Sequence, residues 1–129
     1  MTSVLLVEDH EIFAQAFRRV LQERGQMDVV AVAETAEEAL NLIPELDVDL
    51  VLVDISLPYS SGISLVLSMQ QKHPDVPCVM LSGHLSKHYA RSSLAAGARG
   101  YLVKDNADEI LDGIQRVLQG EVYISQQVR

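Results

Sequence analysis

Three acidic residues, a lysine and a hydroxyl each stand directly behind a short apolar run. Glu8 and Asp9 follow Val4 to Val7, Asp54 follows Leu50 to Val53, Ser82 follows Cys78 to Leu81, and Lys104 follows Tyr101 to Val103. Carboxylates brought together raise one another's pKa unless a cation sits among them. An all-oxygen ligand set suits a hard divalent ion, and Mg²⁺ takes one or two carboxylates together with waters and phosphate oxygens. A carboxylate beside such an ion can attack phosphorus and form an acyl phosphate. The Lys104 ammonium and the Ser82 hydroxyl would then hold the equatorial oxygens of the transferred group. Singly, each residue has a plainer role. Asp9 could cap a helix, Asp54 could be a turn residue, Ser82-Gly83 is a common turn pair, and Lys104 could be a solvated lysine ending an edge strand. Whether one surface gathers them decides between the two accounts.

The elements between these residues supply that surface. The apolar run Val4 to Val7 is followed by Ile12, Phe13, Ala16, Phe17, Val20 and Leu21, one face of a helix that Gly25 can end. Residues 28–33 (DVVAVA) have the pattern of a second strand. Thr35 opens TAEE, a capping box in which Glu38 reaches back to the Thr35 amide, ahead of an Ala36, Ala39, Leu40, Ile43 stripe and Pro44. Strands over 50–53, 78–81 and 101–103 alternate with helices carrying Ile63, Val66 and Met69, then a span from about Ser86 to Gly97, then Ile110 to Leu118. Asn106 opens NADE, a second capping box with Glu109.

Short strands alternating with helices through short connections predict an α/β fold, a doubly wound parallel sheet with helices on both faces. The expected sheet has five strands in the order 2-1-3-4-5, with five helices. Ligands of such sheets bind beyond the carboxyl ends of the strands, where the strand order reverses. Four of the five strands deliver a polar group to that edge; only the second, outermost strand does not.

The chain has 129 residues, 48% of them apolar, which predicts one globular domain. No apolar run approaches the roughly 20 residues a membrane span needs, and no basic region precedes an apolar stretch at the N-terminus. The single cysteine, Cys78, excludes an internal disulfide and is expected as a buried thiol. These features fit a cytoplasmic location. The net charge of −8 argues against this chain alone gripping DNA.

The same residues carry a resemblance. VED at 7–9, DISLPYSSG at 54–62, SG at 82–83 and YLVK at 101–104 resemble, in order, the motifs of the receiver domains of two-component response regulators. The resemblance covers the whole chain and implies the flavodoxin-like receiver fold. It implies Asp54 as phosphoacceptor, with Glu8, Asp9, Asp54 and the Ser56 backbone carbonyl as Mg²⁺ ligands. Lys104 becomes the phosphate-contacting lysine, Ser82 the hydroxyl switch and Tyr101 the aromatic that changes rotamer. Implied partners are a sensor histidine kinase or a phosphotransfer protein, and a second copy of the chain on phosphorylation. Asp105 departs from the family, in which proline commonly follows the lysine. Ser56 and His84 occupy positions that in the family tune the lifetime of the phosphate.

KDN at 104–106 and GEVYIS at 120–125 are similar to the NarL/FixJ (LuxR-type) subfamily, whose members usually continue into a helix-turn-helix domain. The expected organisation is a receiver over 1–120, with 121–129 as the start of a linker or a C-terminal tail. DNA would be reached only through a helix-turn-helix domain, which this chain lacks. The expected output is control of transcription; the alternative is a stand-alone receiver acting as an interaction or phosphorelay module.

Two other classes compete. An aspartyl phosphatase of the haloacid dehalogenase type usually places a second Asp two residues after its nucleophile, where this chain has Ser56; a switch rather than an enzyme is therefore expected. A flavodoxin-like cofactor binder should offer amides and hydroxyls in its first loop, which here holds Glu8-Asp9, and no glycine-rich phosphate loop occurs. His10, His73, His84 and His88 lack the spacing of a zinc site and are expected to be solvated.

Overall fold

Along the central strands every second side chain faces the same way, and both sets are apolar. Leu5, Val7, Val51, Val53, Met80, Tyr101 and Val103 are buried on one face; Val4, Leu6, Leu50, Leu52, Val79, Leu81 and Leu102 are buried on the other. A strand apolar in both registers is stable only between two layers of helices. Each fully buried Val or Leu side chain contributes about 1.5–3 kcal/mol.

A computed structural model describes all 129 residues. The chain runs β1 (Thr2–Val7), α1 (Glu11–Glu23), β2 (Met27–Ala33), α2 (Ala36–Leu42), β3 (Leu50–Asp54), α3 (Gly62–Lys72), β4 (Cys78–Ser82), α4 (Lys87–Ala96), β5 (Gly100–Val103), α5 (Ala107–Leu118) and β6 (Tyr123–Ile124). All strands pair in parallel. Phe17 and Leu21 of α1 and Ile110, Ile114 and Val117 of α5 cover one face. Ala39 of α2, Leu65, Val66 and Met69 of α3 and Ala90 of α4 cover the other.

The order is β2-β1-β3-β4-β5-β6. The 2-1-3-4-5 arrangement is present, but the sheet has six strands, which corrects the expectation of five. The sixth comes from residues 121–129, expected as a linker or tail. Gly100 aligns with Tyr123 and Tyr101 with Ile124. A two-residue strand has no periodicity to read; side-chain anchors hold it instead. Tyr123 donates to Glu109 at 2.8 Å, and the Arg116 and Arg129 guanidinium groups lie 5.6 and 5.2 Å from its ring centre. The Ser125 amide donates to the Tyr101 carbonyl at 2.9 Å, and the buried Ser125 Oγ accepts from the Val103 amide at 2.9 Å. The segment thus satisfies backbone groups that an edge strand would leave open.

Thr35, Ser61, Ser86 and Asn106 cap α2, α3, α4 and α5, each accepting from the amide three residues on at 3.1 Å. The reciprocal halves of the two capping boxes differ from expectation. Glu38 accepts from the Glu34 amide at 3.3 Å rather than from Thr35. Glu109 turns instead to Tyr123 and the Gln126 amide, because the β6 segment brings those donors to it. Helix α1 has His10 at its N-cap with no side-chain capping bond, so Asp9 is not used as a cap. At the far end of α1, the Arg24 and Gly25 amides both return to the Val20 carbonyl, as a terminating Gly25 predicts.

Candidate functional site

Backbone bonds at the strand ends hold the five chemical residues along one edge. The Glu8 amide donates to the Ala33 carbonyl at 2.8 Å, extending β1 by one residue beyond its apolar run. Asp54 is the last residue of β3, and the next amide, Ile55, donates to the Leu81 carbonyl at 3.0 Å. Lys104 leaves β5 with its amide on the Ser82 carbonyl at 2.9 Å. Gly62 lets α3 begin against this edge. A Cβ there would lie 2.5 Å from the Asp54 carbonyl oxygen and 2.9 Å from the Ile55 Cα, a backbone clash that only glycine avoids.

The carboxylates and the ammonium meet above the edge. Lys104 Nζ lies 2.7 Å from Glu8 Oε1 and 3.2 Å from Asp54 Oδ2, with the Phe13 ring 4.3 Å beneath it. The Ser56 amide donates to Asp54 Oδ1 at 3.0 Å. His10 Nδ1 is 2.9 Å from Glu8 Oε2, 3.5 Å from Asp9 Oδ1 and 3.7 Å from Asp54 Oδ2. Glu8 and Asp54 are buried, Asp9 is half-buried and His10 is exposed.

Burial and proximity divide the protons unevenly. Burial pushes the Asp54 carboxyl up, and its hydrogen bond with Glu8 pushes it further; the Ser56 amide and Lys104 offset only part of this. Burial also pushes Glu8 up, but its bonds to Asp54, Lys104 and His10 outweigh that and hold its carboxyl below the ordinary range. The two acids titrate as one pair, with the proton favoured on Asp54. The hydrogen bond to Glu8, then the charges of Asp9 and Glu8, raise the His10 imidazole.

The residues present fit a divalent cation. Asp9 Oδ1 is shielded from solvent and has no hydrogen-bond partner, an arrangement that favours a cation to accept its lone pairs. Ligand atoms of Glu8, Asp9, His10 and Asp54 all lie within 4.8 Å of one another.

Ser82 and Tyr101 grip a neighbouring stretch of backbone from two sides. Ser82 Oγ accepts from the His84 amide at 2.9 Å, and the Tyr101 hydroxyl donates to the His84 carbonyl at 3.0 Å. The Tyr101 ring is fully buried. Burial raises its hydroxyl pKa, against a hydrogen bond to Ser82 that lowers it. The chain contains no cis peptide bond, so Lys104 joins Asp105 in trans.

Glu8, Asp9, Asp54 and Lys104 converge as the sequence predicts. Ser56 contributes its amide to Asp54, and its side chain is exposed. Two members of the pocket escaped the sequence. His10 was expected to be solvated, and although its ring is exposed, Nδ1 turns into the acidic pocket; its only signal was adjacency to Glu8-Asp9. Phe13 belongs by its spacing to the apolar stripe of α1, and nothing in the pattern shows that its ring supports Lys104.

The chain is similar to known proteins. A family model described as the response regulator receiver domain matches residues 4–115. The transcriptional regulatory protein DegU of Brevibacillus brevis is 32% identical over 126 residues, which cover 97% of this chain and 53% of that protein. The response regulator UvrY of Escherichia coli is 33% identical over 129 residues, 99% of this chain and 59% of that one. The chain therefore spans little more than half the length of these relatives. A two-component response regulator of the LuxR family from Aurantimonas superposes with a TM-score of 0.94 at 30% identity, covering 99% of this chain and 93% of that one. A CheY-like receiver domain protein from Methanospirillum hungatei superposes with a TM-score of 0.82 at 29% identity, covering 93% and 95%.

Proposed function

The chain belongs to the response regulator receiver domain family, and on that premise we propose that it is a phosphorylation-dependent switch with Asp54 as its phosphoacceptor. The observation that carries this reading is the buried Asp54 carboxylate at the end of β3, facing Lys104 and flanked by Glu8 and Asp9. The donor is a phosphohistidine of a sensor histidine kinase or of a phosphotransfer protein. An Asp54 carboxylate oxygen attacks phosphorus and the P–N bond breaks. The departing imidazole nitrogen keeps the electron pair, and an acyl phosphate remains on Asp54.

Asp54 must be ionised to attack. Lys104, held by Glu8 and by the Phe13 ring, favours that form and stands ready for the negative charge of the incoming group. Glu8, Asp9, Asp54 and the Ser56 carbonyl would hold Mg²⁺, whose positive charge would offset that of the carboxylates and of the phosphoryl oxygens.

Signal transmission follows from the two grips on His84. The Ser82 oxygen accepts from the His84 amide, and its proton, which here serves the Tyr101 oxygen, can turn to a phosphoryl oxygen. If phosphate draws Ser82 away, the His84 amide loses its acceptor and the β4–α4 loop must rearrange. Tyr101 lies inside in this structure, and its bond to the His84 carbonyl couples β5 to the same loop. A rearranged β4–α4 loop and α4 face would then select a second copy of the chain or control a transcription-regulating output domain. The name of the DegU relative, a transcriptional regulatory protein, supports that output.

Incubation with acetyl phosphate and Mg²⁺, followed by intact-mass measurement, tests the proposal. The parent should gain a single phosphoryl group, and Asp54→Asn, which keeps the shape but removes the nucleophile, should gain none. Stoichiometric phosphorylation of Asp54→Asn would overturn the assignment.

A further inference from the structure

The phosphoryl chemistry leaves His10 without a part, although its ring nitrogen is ringed by the same three carboxylates. Ligand atoms about 2.0–2.2 Å from one ion lie about 3 Å apart at right angles and roughly 3.5 Å apart at tetrahedral angles. The separations of His10 Nδ1 from Glu8 Oε2, Asp9 Oδ1 and Asp54 Oδ2, at 2.9, 3.5 and 3.7 Å, fall around those spacings. One of the three oxygens, Asp9 Oδ1, is also the buried acceptor with no hydrogen-bond partner.

We propose that His10 is a nitrogen ligand of the cation that Glu8, Asp9 and Asp54 hold, so that the pocket prefers a first-row transition ion to Mg²⁺. Mg²⁺ is a hard ion that takes oxygen ligands and keeps its waters, and gains little from an imidazole. Borderline divalent ions gain from one, so a set of three carboxylates and one imidazole tilts selectivity toward them. His10 is free to serve: as the N-cap residue of α1 it makes no capping bond, and its exposed ring leaves the ion a path from solvent. Binding would displace the proton that Nδ1 shares with Glu8. The other histidines near this edge are engaged elsewhere, His84 edge-on to Tyr89 with ring centres 5.4 Å apart and His88 beside the same ring at 6.0 Å.

The inference rests on the switch reading only in taking the pocket as a divalent-cation site, and Mn²⁺ is the probe that separates the two. Pulsed electron paramagnetic resonance of Mn²⁺ bound to the parent protein should show coupling to an imidazole ¹⁴N nucleus. In His10→Ala that coupling should vanish. Mn²⁺ affinity should fall at least about tenfold, the lower end of what even an outer-shell partner contributes, while Mg²⁺ affinity, read by displacement of Mn²⁺, should change little. Mn²⁺ that binds without nitrogen coupling, or coupling that persists in His10→Ala, would overturn the role of His10 and leave the carboxylate site standing. No binding of either ion to the parent would overturn both the inference and the metal site of the switch. Spectroscopy on the parent needs no variant, so the test does not depend on how His10→Ala folds.

Discussion

Ionised Asp54, the form that can attack phosphorus, is costly to the metal-free fold. Its folded-state pKa is raised, first by burial and then by Glu8, so the folded protein binds a proton there more readily than the unfolded chain does. By linkage, the favourable contribution is present at low pH and is lost as pH rises through the raised value. At neutral pH an ionised Asp54 therefore weakens the metal-free fold. Glu8 has the opposite sign: its lowered pKa gives stability above the ordinary carboxylate value that is lost as pH falls through the depressed one. Removing Asp54 takes one hydrogen bond from Glu8 but leaves its 2.7 Å bond to Lys104. We expect Asp54→Ala to be more stable than the parent in EDTA by about 1–3 kcal/mol, the size of a substantial single-site effect. Mg²⁺ stabilises whatever folded form binds it, by mass action, so it should raise the parent's stability much more than the variant's. Urea unfolding of both proteins with EDTA and with millimolar Mg²⁺ measures this. A variant less stable in EDTA, with equal gains from Mg²⁺, would show that the three acids do not share one ion.

At the scale of elements, the β6 segment ties the end of the chain to the strand that carries Tyr101 and Lys104. Its anchor, Glu109, is pushed up by burial. The Gln126 amide, the Tyr123 and Ser125 hydroxyls and the Arg129 charge outweigh this and hold its carboxyl below the ordinary 4.5. Its contribution to stability is therefore complete above pH 4.5 and disappears as pH falls through the depressed value. The stability gap between the parent and Glu109→Gln should be widest at neutral pH and should close in acid; a gap independent of pH would contradict this role. The central elements were legible because strands buried on both faces are continuous apolar runs, and because Thr35, Ser86 and Asn106 mark helix starts. Strand β6 was not, since its hold depends on the Tyr123 and Ser125 bonds rather than on pattern. Likewise, the sequence brought Glu8, Asp9, Asp54 and Lys104 to one edge because strand ends share an edge. It could not show that His10 turns inward or that Tyr101 is already buried, because both depend on side-chain direction.

For the whole molecule, the proposed switch comes down to one covalent event at one position. The chain carries a parallel sheet whose polar edge is gathered from β1, β3, β4 and β5, and no helix in it is long and apolar enough to cross a membrane. A switch of this kind is set by a single acyl phosphate, and acyl phosphates can be trapped chemically. Borohydride reduces the acyl phosphate of an aspartate to homoserine and leaves phosphoserine and phosphohistidine unreduced. After phosphorylation with Mg²⁺ and reduction, peptide mass mapping should find homoserine at position 54 and at no other aspartate. Homoserine at position 9, or a phosphoryl group retained on Ser82 or a histidine, with Asp54 unmodified, would contradict the assignment.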